Sequence, residues 1–331
     1  MIRDSDLDTA VSQNIISAEQ ASKLRGIAQA RVRKPHGTNE GFVVVNNLAE
    51  LFVSIGQVLF FIALFIAVGN FSSNVALALP ITGIVAGWAM AEFFAKYRNM
   101  RWPAIVASIA AAACAGWLVF ILSGGMRAQA PEPTYLIIPF LVATASLGLA
   151  IFRYRLPFLA LPFVGALAGV ASALSASQIS LVIAGAIALV LAVVLDLRDR
   201  ERLTRNSAFA FWLYVAGAPL FLHPIYSSVT APGQSTMAII TVLVIAAASC
   251  FIGLLLDRRS PIVASLLYLG IVITWSARAI SLSPQIQTAL TLFILGVGVM
   301  LLGVWWKQAR TAVLGVLPPP FVRRLPLTED R

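Results

Sequence analysis

Four side chains near the ends of long apolar segments could together bind an anion or a lipid headgroup. His223 stands between two prolines in APLFLHP, and Arg278 follows Trp275 one helical turn later. Prolines inside a helix free backbone carbonyls and bend the chain, which can shape a cavity. The alternative is that His223 and Arg278 reach water at a membrane interface, as long polar side chains commonly do. The candidate binding site on the outer side consists of His223, Arg278, Trp275 and Tyr214.

Other polar residues lie at the opposite ends of the apolar segments. Glu50 and Glu92 could face a cavity that opens to the inner side, and Gln57 lies deeper, where an amide can bridge helices. The alternative is ordinary interfacial pairing of Glu50, Glu92, Asp196 and Asp257, all at segment ends. Glu92 has Lys96 four residues on, and Asp257 stands beside Arg258 and Arg259. Ionisable groups deep in a membrane are functional candidates because burying them is costly. Their absence from the middle of the segments argues against a proton-coupled pump.

The sequence contains no convincing pattern for metal binding or catalysis. Its two histidines, His36 and His223, fall on opposite sides, so we expect no metal site. No GxxxxGK[ST], GxSxG, HExxH or CxxC motif stands in a fitting context. Paired polar catalysts on one helix face are also lacking. We therefore expect no cofactor and no enzymatic activity.

The composition predicts a lipid environment for most of these residues. The chain is 59% hydrophobic and 11% charged, with a mean hydropathy of +0.88. A soluble domain of this length would carry about a quarter charged residues. The net charge of +10 would suit nucleic acid, but the basic residues lie at the ends of apolar segments instead of on one soluble domain. We therefore expect membrane lipids, and not nucleic acid, as partners.

The hydrophobic pattern predicts an all-α, polytopic integral membrane protein with about ten transmembrane helices. Each apolar run is close to the ~20 residues that cross the hydrocarbon core. Helices of one direction begin about 50 residues apart, which indicates five helical hairpins inserted in the same orientation. The predicted spans are 48–69, 75–95, 103–123, 135–152, 157–174, 179–195, 208–227, 236–256, 261–282 and 286–306.

The basic residues predict how this chain crosses the membrane. If the N-terminus lies in the cytoplasm, 22 of the 24 Lys and Arg residues fall on the inner side, and Arg127 and Arg278 do not. This segregation follows the positive-inside rule and favours cytoplasmic N- and C-termini. The first apolar run begins near Leu48 and has no small-residue cleavage site after it, so we expect it to remain as the first span.

The chain divides into four predicted parts. Ser17 and Gln20 resemble a capping box that opens a helix over 18–32, and Asn14 can end the helix before it. Two short helices bury little area, so we expect this head to pack on the membrane domain or on a partner. The parts are a two-helix cytoplasmic head (1–34), a linker (35–47), a ten-helix membrane domain (48–306) and a basic, proline-rich cytoplasmic tail (307–331).

Three stretches carry a family resemblance: IISAEQASKL at 15–24, FWLYVAGAPLFLHP at 211–224, and the closing part from LLGVWW to LPPPFVRRLP. They resemble a family of bacterial predicted membrane proteins that is catalogued as a domain of unknown function. The likeness covers most of the chain and implies a short helical head followed by many spans in the bacterial inner membrane. Family members often have a glycine where Asn14 stands and a histidine where Tyr214 stands. The second difference weakens a two-histidine site around His223, and the family supplies no established activity.

Two kinds of function fit these observations. Ten spans, little soluble mass and proline-interrupted helices are typical of a transporter or binder of a small molecule or lipid-like solute. Ten-span exporters built from inverted repeats fit less well. Inversion would place Pro80 in span two and Pro219 in span seven on opposite sides of the membrane, but both fall in the outer half of their spans. The alternative is a membrane scaffold or sensor whose head, 196–205 loop and tail bind a cytoplasmic protein partner.

Overall fold

A computed structural model describes most of the chain. The described residues are 7, 10–13, 15–24, 48–68, 73–125, 133–175, 177–199, 202, 204–230, 235–279, 282–322 and 325. Within these ranges the regular structure is entirely helical, which confirms the predicted all-α class. Predictions for Asn14, for the linker 35–47, for Arg127 and for the end of the tail lie outside the described residues.

Ten helices of the described chain are long and apolar enough to cross a membrane, as predicted for a multi-pass membrane protein. Each predicted span overlaps one of them. A further short helix, α11, follows at Pro319–Val322. The long helices are α1 (Leu48–Val68), α2 (Ser73–Glu92), α3 (Arg101–Leu122), α4 (Ile137–Tyr154), α5 (Ala160–Leu174), α6 (Gln178–Arg198), α7 (Arg205–Thr230), α8 (Thr236–Leu256), α9 (Ser260–Ala279) and α10 (Pro284–Val316).

Short sequence signals explain where several of these helices begin and end. Arg155 and Asp257 adopt left-handed backbone conformations, with φ of 52° and 54°, directly after α4 and α8. This conformation at a C-cap ends a helix. Pro157 then opens a 3₁₀ turn before α5, and Pro261 lies in the first turn of α9. A proline is tolerated there because a first-turn residue needs no backbone N–H donor.

The buried core passes from one group of helices to the next along the chain. In the described residues, four clusters of buried apolar side chains join α2–α3–α4, α5–α6–α7–α8, α7–α8–α9 and α8–α9–α10. Helices α6 and α7 approach closely at Gly185, where a Cβ atom would lie 2.5 Å from the backbone nitrogen of Phe221. Glycine is therefore required at this contact.

Several helix ends gather at one end of the bundle, which we call the charged end. Arg153 at the end of α4 pairs with Glu92 at the end of α2. Arg205, which begins α7, donates to the carbonyl of Arg155 after α4 at 3.4 Å. A buried ion pair joins the ends of α6 and α8 in the same way. The opposite end, where α7 and α9 finish, is called the far end.

The last long helix extends further than predicted. α10 continues to Val316, with a bend at Trp305 (φ −100°, ψ 15°). The boundary predicted at 306 between membrane domain and tail thus falls inside this helix. The helix continues because Trp306 and Arg310 are buried against the turn between α8 and α9.

In the head, the described residues contain the predicted capping box. The backbone N–H of Ser17 donates to Gln20 Oε1 at 2.8 Å, and the backbone N–H of Gln20 donates to Ser17 Oγ at 3.1 Å. These two bonds satisfy N–H groups that the start of a helix leaves free. The prediction of a helix start at this point is confirmed, and helical residues follow over 18–24.

Candidate functional site

A pocket of about 380 Å³ lies between α9 and α10, towards the far end. It extends along α9 from near the middle of that helix to its last turn. Two of the four residues predicted for an outer-side site, Trp275 and Arg278, belong to it. Its lining consists of Gly270, Ile271, Thr274, Trp275, Arg278, Thr291 and Leu295.

The lining changes from polar at the far end to apolar at depth. Arg278 is exposed in the last turn of α9 and makes no ion pair or hydrogen bond within the described chain. The hydroxyls of Thr274 and Thr291 lie 3.1 Å apart across the pocket. Further in, Gly270 lies close to Leu295, where a Cβ atom on the glycine would be 3.2 Å from the leucine side chain. From the far end inwards, the pocket therefore presents a cation, then two hydroxyls and then an apolar floor.

His223 is not brought to this pocket. Its Nδ1 is hydrogen-bonded to the hydroxyl of Tyr268, and that hydroxyl also lies 3.3 Å from the His223 carbonyl. Tyr268 in turn stacks on Tyr226, with ring centroids 4.2 Å apart. Tyr268 and Arg278 are separated along α9 by roughly 15 Å at 1.5 Å per residue. His223 thus joins α7 to α9 at a distance from Arg278.

Tyr214 lies even further from the other three predicted residues. It precedes His223 on α7 by nine residues in the sequence, or roughly 14 Å along the helix. Its ring is buried and lies 5.7 Å from the guanidinium of Arg258 at the charged end. The structure thus brings Trp275 and Arg278 together in one pocket and places His223 and Tyr214 outside its lining.

A buried ion pair dominates the charged end. Asp196 is fully buried and accepts two bonds from Arg258, at 2.9 Å from Nε and 2.5 Å from Nη2. Arg258 also donates to the carbonyl and the hydroxyl of Ser207, both at 3.1 Å. This geometry is the bidentate pairing that a planar guanidinium and a carboxylate favour. It ties the end of α6 to the first turn of α7 and to the turn between α8 and α9.

Asp257 forms a second buried cluster beside the first. Its Oδ1 accepts from the Trp306 indole at 2.7 Å, and its Oδ2 accepts from Arg202 at 3.2 Å and lies 3.5 Å from Arg310 Nη1. Arg202 also donates to two backbone carbonyls, and Arg310 Nε donates to the carbonyl of Leu254 at 3.1 Å. The turn after α8, the loop after α6 and the end of α10 therefore meet at one carboxylate.

These clusters correct the interpretation of Asp196 and Asp257 as ordinary interfacial charges. Arg202, Arg258 and Arg310 are each at most 4% exposed, so the pairs are buried inside the protein. Burying an ion pair is costly, and removing one partner leaves the other charge uncompensated. The sequence showed the charges at helix ends but gave no signal that they converge.

Glu92, a predicted inner-side residue, is held by three neighbours at the charged end. It accepts from Arg153 at 2.7 and 3.0 Å and from the Tyr154 hydroxyl at 3.1 Å, and it lies 2.5 Å from Lys96. The predicted pairing with Lys96 is thus present. Glu92 joins α2 to α4 and does not line either of the two pockets described in this structure.

Glu50 and Gln57, the other predicted inner-side residues, lie on the buried face of α1. Each is 6% exposed, and Gln57 Nε2 is 3.6 Å from Met90 Sδ on α2, a contact that bridges the two helices as predicted. Glu50 Oε2 and Gln57 Oε1 have no hydrogen-bond partner among the residues that the structure describes. The two residues are roughly 10 Å apart along the helix, so they do not form one site.

No group of three or more His, Cys, Asp or Glu side chains suited to a metal ion occurs among the residues that the structure describes. Comparisons with protein-family models, with curated proteins and with solved structures gave no match. The fold itself defines the class of the protein: it is a multi-pass helical protein whose described part contains ten helices able to span a membrane.

Proposed function

We propose that this chain is a bacterial inner-membrane protein that binds, and by that binding transports, a small amphiphilic solute through the pocket between α9 and α10. The observation that carries the proposal is the composition of that pocket. One exposed arginine, a pair of threonine hydroxyls and an apolar floor lie in order along about 380 Å³. Ligand sites are typically apolar cavities with a few placed polar groups.

The order of the lining residues indicates the chemistry of the solute. Arg278 suits an anionic group, because its charge meets no acidic partner within the described chain. Deeper in the pocket than Arg278, the hydroxyls of Thr274 and Thr291 can accept or donate hydrogen bonds to the solute. An apolar portion would then lie against Gly270 and Leu295. A lipid-like solute with one anionic end matches this order.

The distribution of basic residues supports an orientation for the pocket. The charged end gathers basic residues from the loops after α2, α4, α6 and α8, and such loops face the cytoplasm under the positive-inside rule. Cytoplasmic N- and C-termini follow from this assignment. The pocket at the far end would then open towards the periplasmic face.

A scaffold that binds a cytoplasmic protein partner is the second candidate. It would use the head, the 196–205 loop and the tail. Three charged side chains of that loop, Asp196, Asp199 and Arg202, are buried within the protein and are not offered to a partner. The loop therefore gives this candidate less support than the sequence did, and the head and the tail remain its basis.

Native mass spectrometry on protein extracted gently from its own membrane tests the proposal. We expect a defined anionic amphiphile to be retained by the wild type and lost in Arg278→Gln and in Gly270→Leu, which fills the pocket. Arg101→Gln, at an exposed arginine of the charged end, is the matched control and should retain it. Equal retention in all variants would refute the pocket. A protein partner bound in stoichiometric amount, and lost when residues 1–34 are deleted, would favour the scaffold.

A further inference from the structure

A second cavity, a groove of about 330 Å³, lies on the flank of the bundle and is separate from the α9–α10 pocket. Its floor is α7, which contributes Tyr214 and Ala218. Its walls are α6, with Val190 and Val194, and α8, with Ile252. All three helices are among those long and apolar enough to cross a membrane. The groove therefore lies at the depth of the hydrocarbon core.

The chemistry of the groove suits a hydrocarbon chain. Tyr214 and Ser249 are the polar side chains in its lining, and the Ser249 hydroxyl donates to the carbonyl of Ile245 at 2.8 Å within its own helix. Val190 is 61% exposed and Ile252 is 48% exposed, so the groove opens sideways to where lipid chains would be. A polar solute would lose its hydrogen bonds there, whereas an acyl chain would not.

The dimensions agree with one acyl chain of one leaflet. The floor residues from Tyr214 to Leu222 cover roughly 12 Å along α7 at 1.5 Å per residue. The hydrocarbon core is about 30 Å thick, so each leaflet contributes about 15 Å. Leu256, which ends α8, and Pro261, in the first turn of α9, bring the groove to the charged end. The groove thus spans most of the leaflet on that side.

Two exposed arginines flank the groove where it reaches the charged end. Val190, Val194 and Arg198 follow one another at intervals of four residues, so they share one face of α6. Arg198 therefore lies one helical turn beyond the lining valines, towards the charged end. Arg198 is exposed and makes no hydrogen bond or ion pair among the described residues. On the other side, Arg259 precedes the lining residue Pro261, is exposed, and lies 5.3 Å from the Trp306 ring.

The acidic residues described near this mouth are engaged elsewhere and do not pair with Arg198. Asp196 and Asp257 are buried and bound to arginines inside the protein, and Asp199 is buried and caps the start of α7 through Thr204. Among the described residues, Arg198 therefore presents a positive charge at this mouth. Basic side chains near a membrane surface attract anionic lipids and are complementary to a phosphate.

We propose that this groove binds an anionic phospholipid from the leaflet at the charged end. One acyl chain lies between α6 and α8 on the floor of α7, and the phosphate lies between Arg198 and Arg259. This site is independent of the proposed solute pocket, because the two lie at opposite ends of the bundle. It is also independent of which end faces the cytoplasm.

The test uses the full-length protein in nanodiscs that contain equal amounts of phosphatidylglycerol and phosphatidylcholine. The lipids that stay bound after ejection from the nanodisc are counted by mass spectrometry. We expect the wild type to retain phosphatidylglycerol in preference to phosphatidylcholine. Arg198→Gln and Arg259→Gln should each lower this preference roughly fivefold, the effect of one basic side chain near an anionic surface.

A groove-filling variant separates the acyl-chain site from simple charge attraction. Val190→Trp should abolish retention of the lipid, whereas Val85→Trp, at a similarly exposed valine of α2, should not change it. Arg101→Gln is the matched control for the arginine variants. If Val190→Trp keeps the preference, or if the arginine variants behave like Arg101→Gln, the proposal is wrong. Both tryptophan substitutions are at exposed positions, so folding should be unaffected.

Discussion

Asp257 accepts a hydrogen bond on each of its carboxylate oxygens, from Trp306 on one and from Arg202 on the other, and the second oxygen also forms an ion pair with Arg310 at 3.5 Å. At the scale of single residues this carboxylate compensates two buried guanidinium groups. Arg310 and Arg202 are 1% and 4% exposed, so water cannot take over that role. Breaking a buried ion pair by removing one partner typically costs about 3–5 kcal/mol.

The first prediction concerns this carboxylate. Asp257→Asn keeps the shape of the side chain but leaves the buried arginines without their counter-charge. We expect the free energy of unfolding to fall by about 3–5 kcal/mol. The measurement is an SDS titration in mixed micelles followed by far-UV circular dichroism. Glu92→Gln, in a half-exposed ion pair at the same end, should cause a much smaller loss. Equal losses in the two variants would contradict this account.

The second prediction concerns the buried pair of Asp196 and Arg258. Asp196→Leu alone leaves an uncompensated guanidinium, and Arg258→Met alone leaves an uncompensated carboxylate. The double variant removes both charges, so we expect it to be more stable than either single variant. The coupling energy from the double-mutant cycle should lie at about 1–3 kcal/mol. Additive losses would mean that the two side chains do not depend on each other.

At the scale of the elements, close helix contacts hold these residues in place. α6 and α7 approach closely at Gly185, which faces the backbone of Leu220 and Phe221. α10 bends at Trp305 and so brings Trp306 and Arg310 to Asp257. The charged clusters at one end and the solute pocket at the other both depend on the fit between neighbouring helices.

The third prediction tests the contact between α6 and α7. Gly185→Ala places a methyl group 2.5 Å from the Phe221 nitrogen, so the two helices must move apart. We expect a loss of about 1–3 kcal/mol in unfolding free energy, the usual cost of overpacking. Gly165→Ala in α5 is the control, since nothing lies within 4 Å of its Cβ position. There alanine should be neutral or stabilising because it favours the helix. The same SDS titration compares the two, and a stable Gly185→Ala variant would refute the contact.

At the scale of the whole molecule, the sequence predicted the ten helices well because the length of each apolar run determines a span. It also placed Trp275 and Arg278 together, since one helical turn separates them. It did not predict which face of α7 carries His223, because the rotation of one helix against another depends on packing. Arg310 was missed because the predicted last span ended at 306, which put Arg310 among the basic residues of the tail.

The fourth prediction tests how the whole molecule lies in the membrane. Cys114 and Cys250 are first replaced by alanine. One single-cysteine variant is then Ser123→Cys, at an exposed residue that follows α3 at the far end, and the other is Arg98→Cys, at an exposed residue of the charged end. A membrane-impermeant maleimide should label the far-end position on intact cells. The charged-end position should react only after permeabilisation. The reverse pattern would overturn the proposed cytoplasmic location of both termini.

The most direct test of the central claim is whether the α9–α10 pocket is occupied. Thr291→Cys, in a background without Cys114 and Cys250, places a thiol in that pocket, and its rate of alkylation by a small maleimide is measured. The account predicts that the solute fraction extracted from the source membrane slows this reaction severalfold. It also predicts that Arg278→Gln removes the protection and that Ser123→Cys, outside the pocket, is never protected. Equal rates with and without the extract would contradict the claim.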